Sequence, residues 1–523
     1  MQCVPDHPTD LTAFLALFRA ALREIGSMTT SPKTTKRLRP TFPTFSVIRT
    51  EALAGLVVAL ALIPEAISFS IIAGVDPRVG LFASFVMAVS IAFLGGRPAM
   101  ISAATGAMAL VVVDLVKDHG VDYLLAATIL AGVFQVILGL LGVAKLMRFV
   151  PPSVMTGFIN ALAILIFMAQ VPHFWGKGWG VYALVAAGLA VIFLLPRFTK
   201  AIPAPLVAIV VLTAVAVASG VKVPTVGDMG SLPDSLPVPF LPDVPFSMET
   251  LEVIAPYSLT LALVGLMESL MTAKVVDDLT DTRSAKGREA RGQGWGNIIT
   301  GFFGGMASCA MIGQTMINVK SGARTRLSTF LAGVFLLILV VVLGDVVAMI
   351  PMAALVAVML FVSFATMDWH SIAPRTIKRM PWSETIVMAV TVAVVVGTHN
   401  LAIGVIVGSL TSIVIFARGV ARLSTVTSVL DPEGGVRVYS VRGDLFFASS
   451  NELVGEFDYN EDGVSKVVID LSNAHMWDSS AVAALDHAGD KFGRHGIDVE
   501  ITGLNVPSEE LHKELSGTLS GGH

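Results

Sequence analysis

The chain has 523 residues, 54% of them hydrophobic and only 14% charged, with a formal net charge of −4. Soluble domains carry about 25% charged residues, so most of this chain does not face water. Two cysteines, Cys3 and Cys309, exclude a disulfide framework and a cysteine metal cluster.

The first 26 residues, MQCVPDHPTDLTAFLALFRAALREIG, lack a basic leader and a small-residue cleavage site, so they do not read as a signal peptide. A short amphipathic helix is one reading. A start at Met28, ahead of the basic stretch KTTKRLRP, is another. Apolar blocks then follow near 50–73, 79–95, 102–116, 122–144, 151–170, 179–195, 203–219, 256–275, 293–307, 312–321, 326–343, 346–366, 384–397 and 400–417. A helix needs roughly 20 residues to cross a bilayer, and several of these are shorter. With the N-terminus inside, the cytoplasmic loops hold roughly eighteen Lys and Arg against about four outside. Arg97, Arg148, Lys200, Arg291, Arg324 and Arg375 are among the former. The Pro-rich stretch 221–245 becomes an external loop.

Glu65 stands in LALIPEAISFS, with no other charge from Leu53 to Ile72. A carboxylate at bilayer depth costs on the order of 2.5–3.5 kcal/mol on insertion scales, so it is expected to face a polar cavity. Pro64 removes a backbone donor and is expected to kink or open the helix. A desolvated carboxylate favours its neutral form, and one that charges and discharges near neutral pH beside an anion site is a proton-coupling device. A permanently protonated, merely hydrogen-bonded Glu65 is the alternative.

The halves of the chain echo each other. A span with a central glutamate (IPEAISFS; then GLMESLMTAK, with Glu268) precedes a Gly-rich span and a short small-residue stretch (SAATG, 102–106; then IGQT, 312–315). Paired short segments in inverted halves point to a transporter's binding site. A half-helix ending near the midplane presents unpaired N–H groups and a positive dipole end, which suits an anion. Thr105, Gly106, Ala107, Gly313, Gln314 and Thr315 are the candidate substrate-binding residues. Small residues also simply permit close helix packing. Glu268 and Thr272, one turn apart on one face, are candidates for the substrate's neighbourhood or a coupled cation; a glutamate that holds the facing half-helix is the alternative.

After residue 422 the chain turns soluble. VRVYSVRG and VSKVVIDLS read as strands, AVAALDHAGDKFGRHG as a helix and VEITGL as a strand.

The stretches GLFASFV, MESLMTAKVVDD, GQGWGNIITGFFGG and INVKSGARTRLS resemble the SulP (sulfate permease) family of anion transporters, from about residue 45 onward. The resemblance implies a mostly α polytopic fold of fourteen transmembrane segments in two inverted repeats of seven, with core and gate domains, followed by a cytoplasmic α/β STAS domain. The implied division is an N-terminal region 1–48, a transport domain 49–422 with repeats at about 49–220 and 255–420, and a STAS domain 431–523. The anion would lie between the third and tenth segments and move by elevator-type alternating access. MWDSSAVAAL matches the STAS turn before a helix, making Asp478, Ser479 and Ser480 either a regulatory, phosphorylatable turn or a plain helix cap. Many members have arginine where Gln314 stands and glutamine where Glu65 stands.

The expected function is proton-coupled symport of a small anion, most readily a dicarboxylate such as fumarate or succinate. A sodium-coupled bicarbonate transporter and a sulfate or anion exchanger of the same family are the alternatives. A nucleobase–cation symporter would lack the STAS tail, and a membrane-anchored STAS regulator would not need matched half-helices and two intramembrane glutamates. No nucleotide loop, His-Glu-x-x-His motif or nucleophile elbow occurs, so an enzyme, a cofactor, a metal and a nucleic-acid partner are not expected. The expected partners are the anion with H+ (or Na+), the lipid of an inner or plasma membrane, a second copy in a homodimer, and a cytoplasmic partner of the STAS domain.

Overall fold

A computed structural model describes residues 45–143, 145, 150–198, 203–220, 222–421, 425–431, 435–460 and 463–517. The expected N-terminal helix, Arg148 and Lys200 lie outside them. Among the described residues, fourteen helices of nine residues or more precede a four-stranded sheet. They are α1 (Phe45–Ala73), α2 (Pro77–Leu94), α3 (Gly106–His119), α4 (Val121–Leu140), α5 (Pro152–Phe174), α6 (Trp179–Leu194), α7 (Ala204–Ser219), α8 (Met248–Thr280), α9 (Lys286–Phe302), α10 (Ile312–Lys320), α11 (Arg326–Val342), α12 (Met352–Thr366), α13 (Trp382–Thr398) and α14 (Leu401–Ala421). Seven helices, α1, α2, α4, α5, α6 with its final turn, α8 and α14, are long and apolar enough to cross a membrane.

The two halves repeat one order: a long helix, a second helix, a three-residue strand, then a half-helix. Strand β1 (Ser102–Ala104) pairs antiparallel with β2 (Ser308–Ala310), Ala103 opposite Cys309. Because the strands run oppositely, α3 and α10, which follow them directly, lead away in opposite directions. That is the inversion expected of the repeats. The repeats also interlock, with α4 packed on α8 and α9, and α11 on α1 and α2. At the α4–α9 crossing a Cβ on Gly294 would stand 2.6 Å from the Gly132 carbonyl, and one on Gly132 2.6 Å from that of Gly294. The glycines of GQGWGN are therefore helix-packing residues. Helix α12 packs on α5 and α6, and α6 on α7, forming a second helical group.

Of the two outcomes expected of Pro64, a kink or an opening, the opening does not occur, since α1 runs on to Ala73. The Pro64 carbonyl accepts from Ser68 Oγ at 2.7 Å.

The chain divides into two compact units, 1–376 with 391–405, and 377–390 with 406–523. The second contains a sheet of order β3 (Thr425–Asp431), β4 (Val436–Leu445), β5 (Lys466–Met476), β6 (Asp498–Thr502), antiparallel at the first pair and parallel thereafter. Three helices accompany it, α15 (Ser450–Gly455), α16 (Ser479–Arg494) and α17 (Val506–Leu515). The core sets Tyr439, Val441 and Ile469 against Leu485 and Phe492. Strand β3 and helices α15 and α17 were not foreseen.

Two buried glutamates brace loops in the first unit. Glu51 accepts from the backbone N–H of Arg324 (2.8 Å), Thr325 (3.0 Å) and Ser328 (3.2 Å) and so caps α11. Glu289 accepts from the N–H of Gly96 (2.6 Å) and Arg97 (2.9 Å). Removing a partner from buried donors costs about 1–3 kcal/mol. Glu51→Ala is therefore expected to lower the melting temperature of the detergent-solubilised protein, with Glu51→Gln recovering part of the loss. An unchanged melting temperature would show that this cap does not stabilise the fold.

Candidate functional site

The ribbon β1–β2 sits where two helices are interrupted, and side chains from four neighbouring helices satisfy its backbone. Thr315 Oγ1 accepts from Ile101 N (2.9 Å), Ser269 Oγ from Ala310 N (3.1 Å), and Asn297 Oδ1 from Ser308 N (2.8 Å). Ser84 Oγ accepts more weakly from Ala104 N at 3.3 Å. Gln293 Nε2 donates to Ser102 Oγ at 2.8 Å, and Asn297 Nδ2 to the Ser308 carbonyl at 2.9 Å. Buried backbone polar groups left without partners are costly, which explains so many small polar residues around six residues of strand.

The two half-helices begin differently. Thr105 is the N-cap of α3, and its hydroxyl accepts from Met108 N at 3.4 Å. Gly106 is packed shut, since a Cβ there would meet Phe69 Cε1 at 2.9 Å and Ile166 Cδ1 at 3.2 Å. Ala107 is buried with Phe158 and Leu162. Helix α10 follows Met311, which provides no side-chain cap. Gly313 is exposed, and a Cβ there would meet nothing within 4 Å. The open helix N-terminus is therefore that of α10, with first-turn N–H groups and dipole available to an anion.

Both intramembrane glutamates reach this region, half-buried. Gln314 Nε2 donates to Glu65 Oε2. Cys309 donates its thiol hydrogen to Glu268 Oε2, and its sulfur lies 3.3 Å from Thr105 Oγ1. One short stretch, 309–314, thus grips a carboxylate from each repeat. Thr315 and Thr272 are placed differently from the ligand-facing expectation. Thr315 is fully buried on the Ile101 backbone, and Thr272 is buried with its hydroxyl on the Glu268 carbonyl at 2.8 Å. Cys309 was missed because its cysteine was weighed only for disulfides and metals. Its place three residues ahead of IGQT was the available signal.

In the second unit, Asp478 is the N-cap of α16, accepting from Ser480 N (3.0 Å) and Ala481 N (3.2 Å) and also from Phe447 N (2.8 Å). Ser479 is exposed and Ser480 half-buried.

The chain matches the sulfate permease family over residues 48–179 and 177–391, and the STAS domain over 429–515. It is 56% identical to YbaR of Bacillus subtilis (strain 168), over 90% of this chain and 98% of that protein. It is 27% identical to the bicarbonate transporter BicA of Picosynechococcus sp. (strain ATCC 27264 / PCC 7002 / PR-6), over 85% of this chain and 86% of that one. The structure of the murine Solute Carrier 26 family member A9 anion transporter in its inward-facing state superposes with a TM-score of 0.78 at 15% identity. It covers 100% of this chain and 96% of that chain. That likeness is one of fold.

The contrast between the glycines is testable. Gly106→Ala forces a methyl into packed atoms and is expected to cost about 1–3 kcal/mol, seen as a lower melting temperature. Gly313→Val adds its side chain to open space, so the melting temperature should hold while the apparent KM for the transported anion rises. A Gly313 variant that transports normally would remove the α10 N-terminus from the site.

Proposed function

The chain belongs to the sulfate permease family of anion transporters, and on that premise we propose that it carries a small organic carboxylate, of the fumarate or succinate class, in symport with a proton held by Glu65. The observation that carries this reading is the pairing of Glu65 with Gln314 beside the open N-terminus of α10. Gln314 offers an amide where a guanidinium would supply positive charge, so neutralisation has to come from elsewhere. A proton on Glu65 supplies it. A dicarboxylate entering with one proton moves as a net monoanion, which a single uncapped helix end suits. Sulfate, doubly charged and compact, suits it less.

A second reading is sodium-coupled bicarbonate transport with the cation near Glu268, favoured by the similarity to BicA. The proton coupling proposed at Glu65 does not carry over to bicarbonate as the cargo. A proton carried with bicarbonate delivers carbon dioxide and water, and carbon dioxide crosses a bilayer unaided, so proton coupling would gain nothing for that cargo. Elevator-type movement of the ribbon-bearing helices against the α5–α7 and α12 group, in a homodimer with a cytoplasmic STAS domain in the inner or plasma membrane, completes the proposal. Asp478 acts in it as a helix cap.

The test is uptake of labelled fumarate, bicarbonate and sulfate into proteoliposomes, with and without an acidic exterior, for the native chain and Glu65→Gln. Fumarate accumulation that needs the gradient, and loses that need in Glu65→Gln, is the expected result. Uptake indifferent to pH, or a variant that keeps the response, overturns it. Bicarbonate uptake that collapses when potassium replaces sodium would establish the second reading.

A further inference from the structure

Cys309 lies at the centre of the ribbon, wholly buried and opposite Ala103. Its neighbours form a run of hydrogen bonds. Met108 N donates to Thr105 Oγ1 at 3.4 Å, the Thr105 hydroxyl and Cys309 sulfur are 3.3 Å apart, and the thiol donates to Glu268 Oε2. A thiol has one hydrogen to give. With it directed at Oε2, that oxygen is already occupied as an acceptor, which favours Oε1 for a proton that Glu268 itself carries. The Thr105 hydroxyl, accepting from Met108, has its own hydrogen to direct at the sulfur. The positive end of α3 is thereby extended through Thr105 and Cys309 to the carboxylate of α8, which the Thr105 side chain also reaches directly.

We infer that Cys309 is a positioning residue for Glu268: it biases which carboxyl oxygen takes up a proton and joins that carboxylate to the cap of the α3 half-helix. The inference rests on Glu268 belonging to the anion site. Few groups around Glu268 titrate. Among the described residues of the elements packed on α8, Cys309 comes from β2, while α3, α4 and α9 bring Thr105, Gln135 and Asn297, which do not titrate. Helix α10 brings Gln314, held to Glu65 of α1. Serine keeps the donor at this position and alanine deletes it. This role is distinct from proton coupling at Glu65, on the other side of the 309–314 stretch.

The experiment uses the full chain with three readouts. Cys3 and Cys309 are its only cysteines, so in a Cys3→Ser background the infrared S–H stretch reports Cys309 alone. Glu268→Gln replaces a carboxyl acceptor by an amide and should move that band toward the free-thiol position. In the same samples, the pH at which the protonated Glu268 carboxyl band (the band lost in Glu268→Gln) disappears should rise by about one unit in Cys309→Ala, the scale of one hydrogen bond to a charged group. Cys309→Ser should stay near the parent. An S–H band unmoved by Glu268→Gln overturns the inference. So does a carboxyl midpoint unmoved by Cys309→Ala. Labelled-fumarate uptake into proteoliposomes that is indifferent to Glu268→Gln overturns the site reading and takes the inference with it, while the S–H band still decides whether the bond exists.

Discussion

Within a bilayer no water is at hand to satisfy a peptide group, so a helix that stops halfway must have its exposed backbone paired by protein. Six residues meet that constraint here: Ser102, Ala103 and Ala104 against Ala310, Cys309 and Ser308. The rest of the first unit follows from it. Small residues fill the ribbon because bulky side chains could not fit between interlocked helices. The serines, threonine and asparagine on α2, α8, α9 and α10 are there to close the hydrogen bonds that three-residue strands leave open. The glycine contact between α4 and α9 brings those donors and acceptors within reach.

The antiparallel ribbon imposes an approximate two-fold relation, and the side chains break it. Thr105 caps one half-helix, but nothing caps the other. Gly106 is sealed by Phe69 and Ile166, whereas Gly313 is open. One carboxylate is held by an amide and the other by a thiol. A strictly symmetric pair of half-helices would offer two equivalent anion positions. The asymmetry leaves one open half-helix end, that of α10.

Much of this was legible in the sequence, for reasons that are physical. Charge inside an apolar run is costly, so Glu65 and Glu268 declare themselves, and the small-residue stretches behind them mark both half-helices. The ribbon was not legible because three residues carry no detectable alternation. Glu51 and Glu289 sit near the ends of apolar runs, where a charge looks like ordinary loop, and only the fold shows their carboxylates turned inward onto backbone N–H groups. Pro64 misled in the other direction. A proline removes one hydrogen bond, but α1, packed against its neighbours, continues through it. In the soluble domain, the alternation in VRVYSVRG revealed β4. Strand β3, exposed along most of its length, had no buried face to write into its sequence.

On the proposed reading, the nearness of Glu65 to the α10 N-terminus makes coupling a local matter. Gln314 gives its amide to Glu65 from the same helical turn that offers N–H groups to an anion. Two unit negative charges about 4 Å apart repel by roughly 4 kcal/mol at an effective dielectric of about 20. At about 1.4 kcal/mol per tenfold change, that is a penalty of nearly a thousandfold on holding an anion beside an ionised Glu65. In the proposed symport the anion and the proton would therefore favour each other's binding without any long-range relay, and each would lose affinity when the other leaves. Glutamine at position 65 would keep the partner for Gln314 and remove the penalty, so an anion could bind there with no proton. On that proposal, carboxylate or amide at this one position decides whether anion binding is tied to pH.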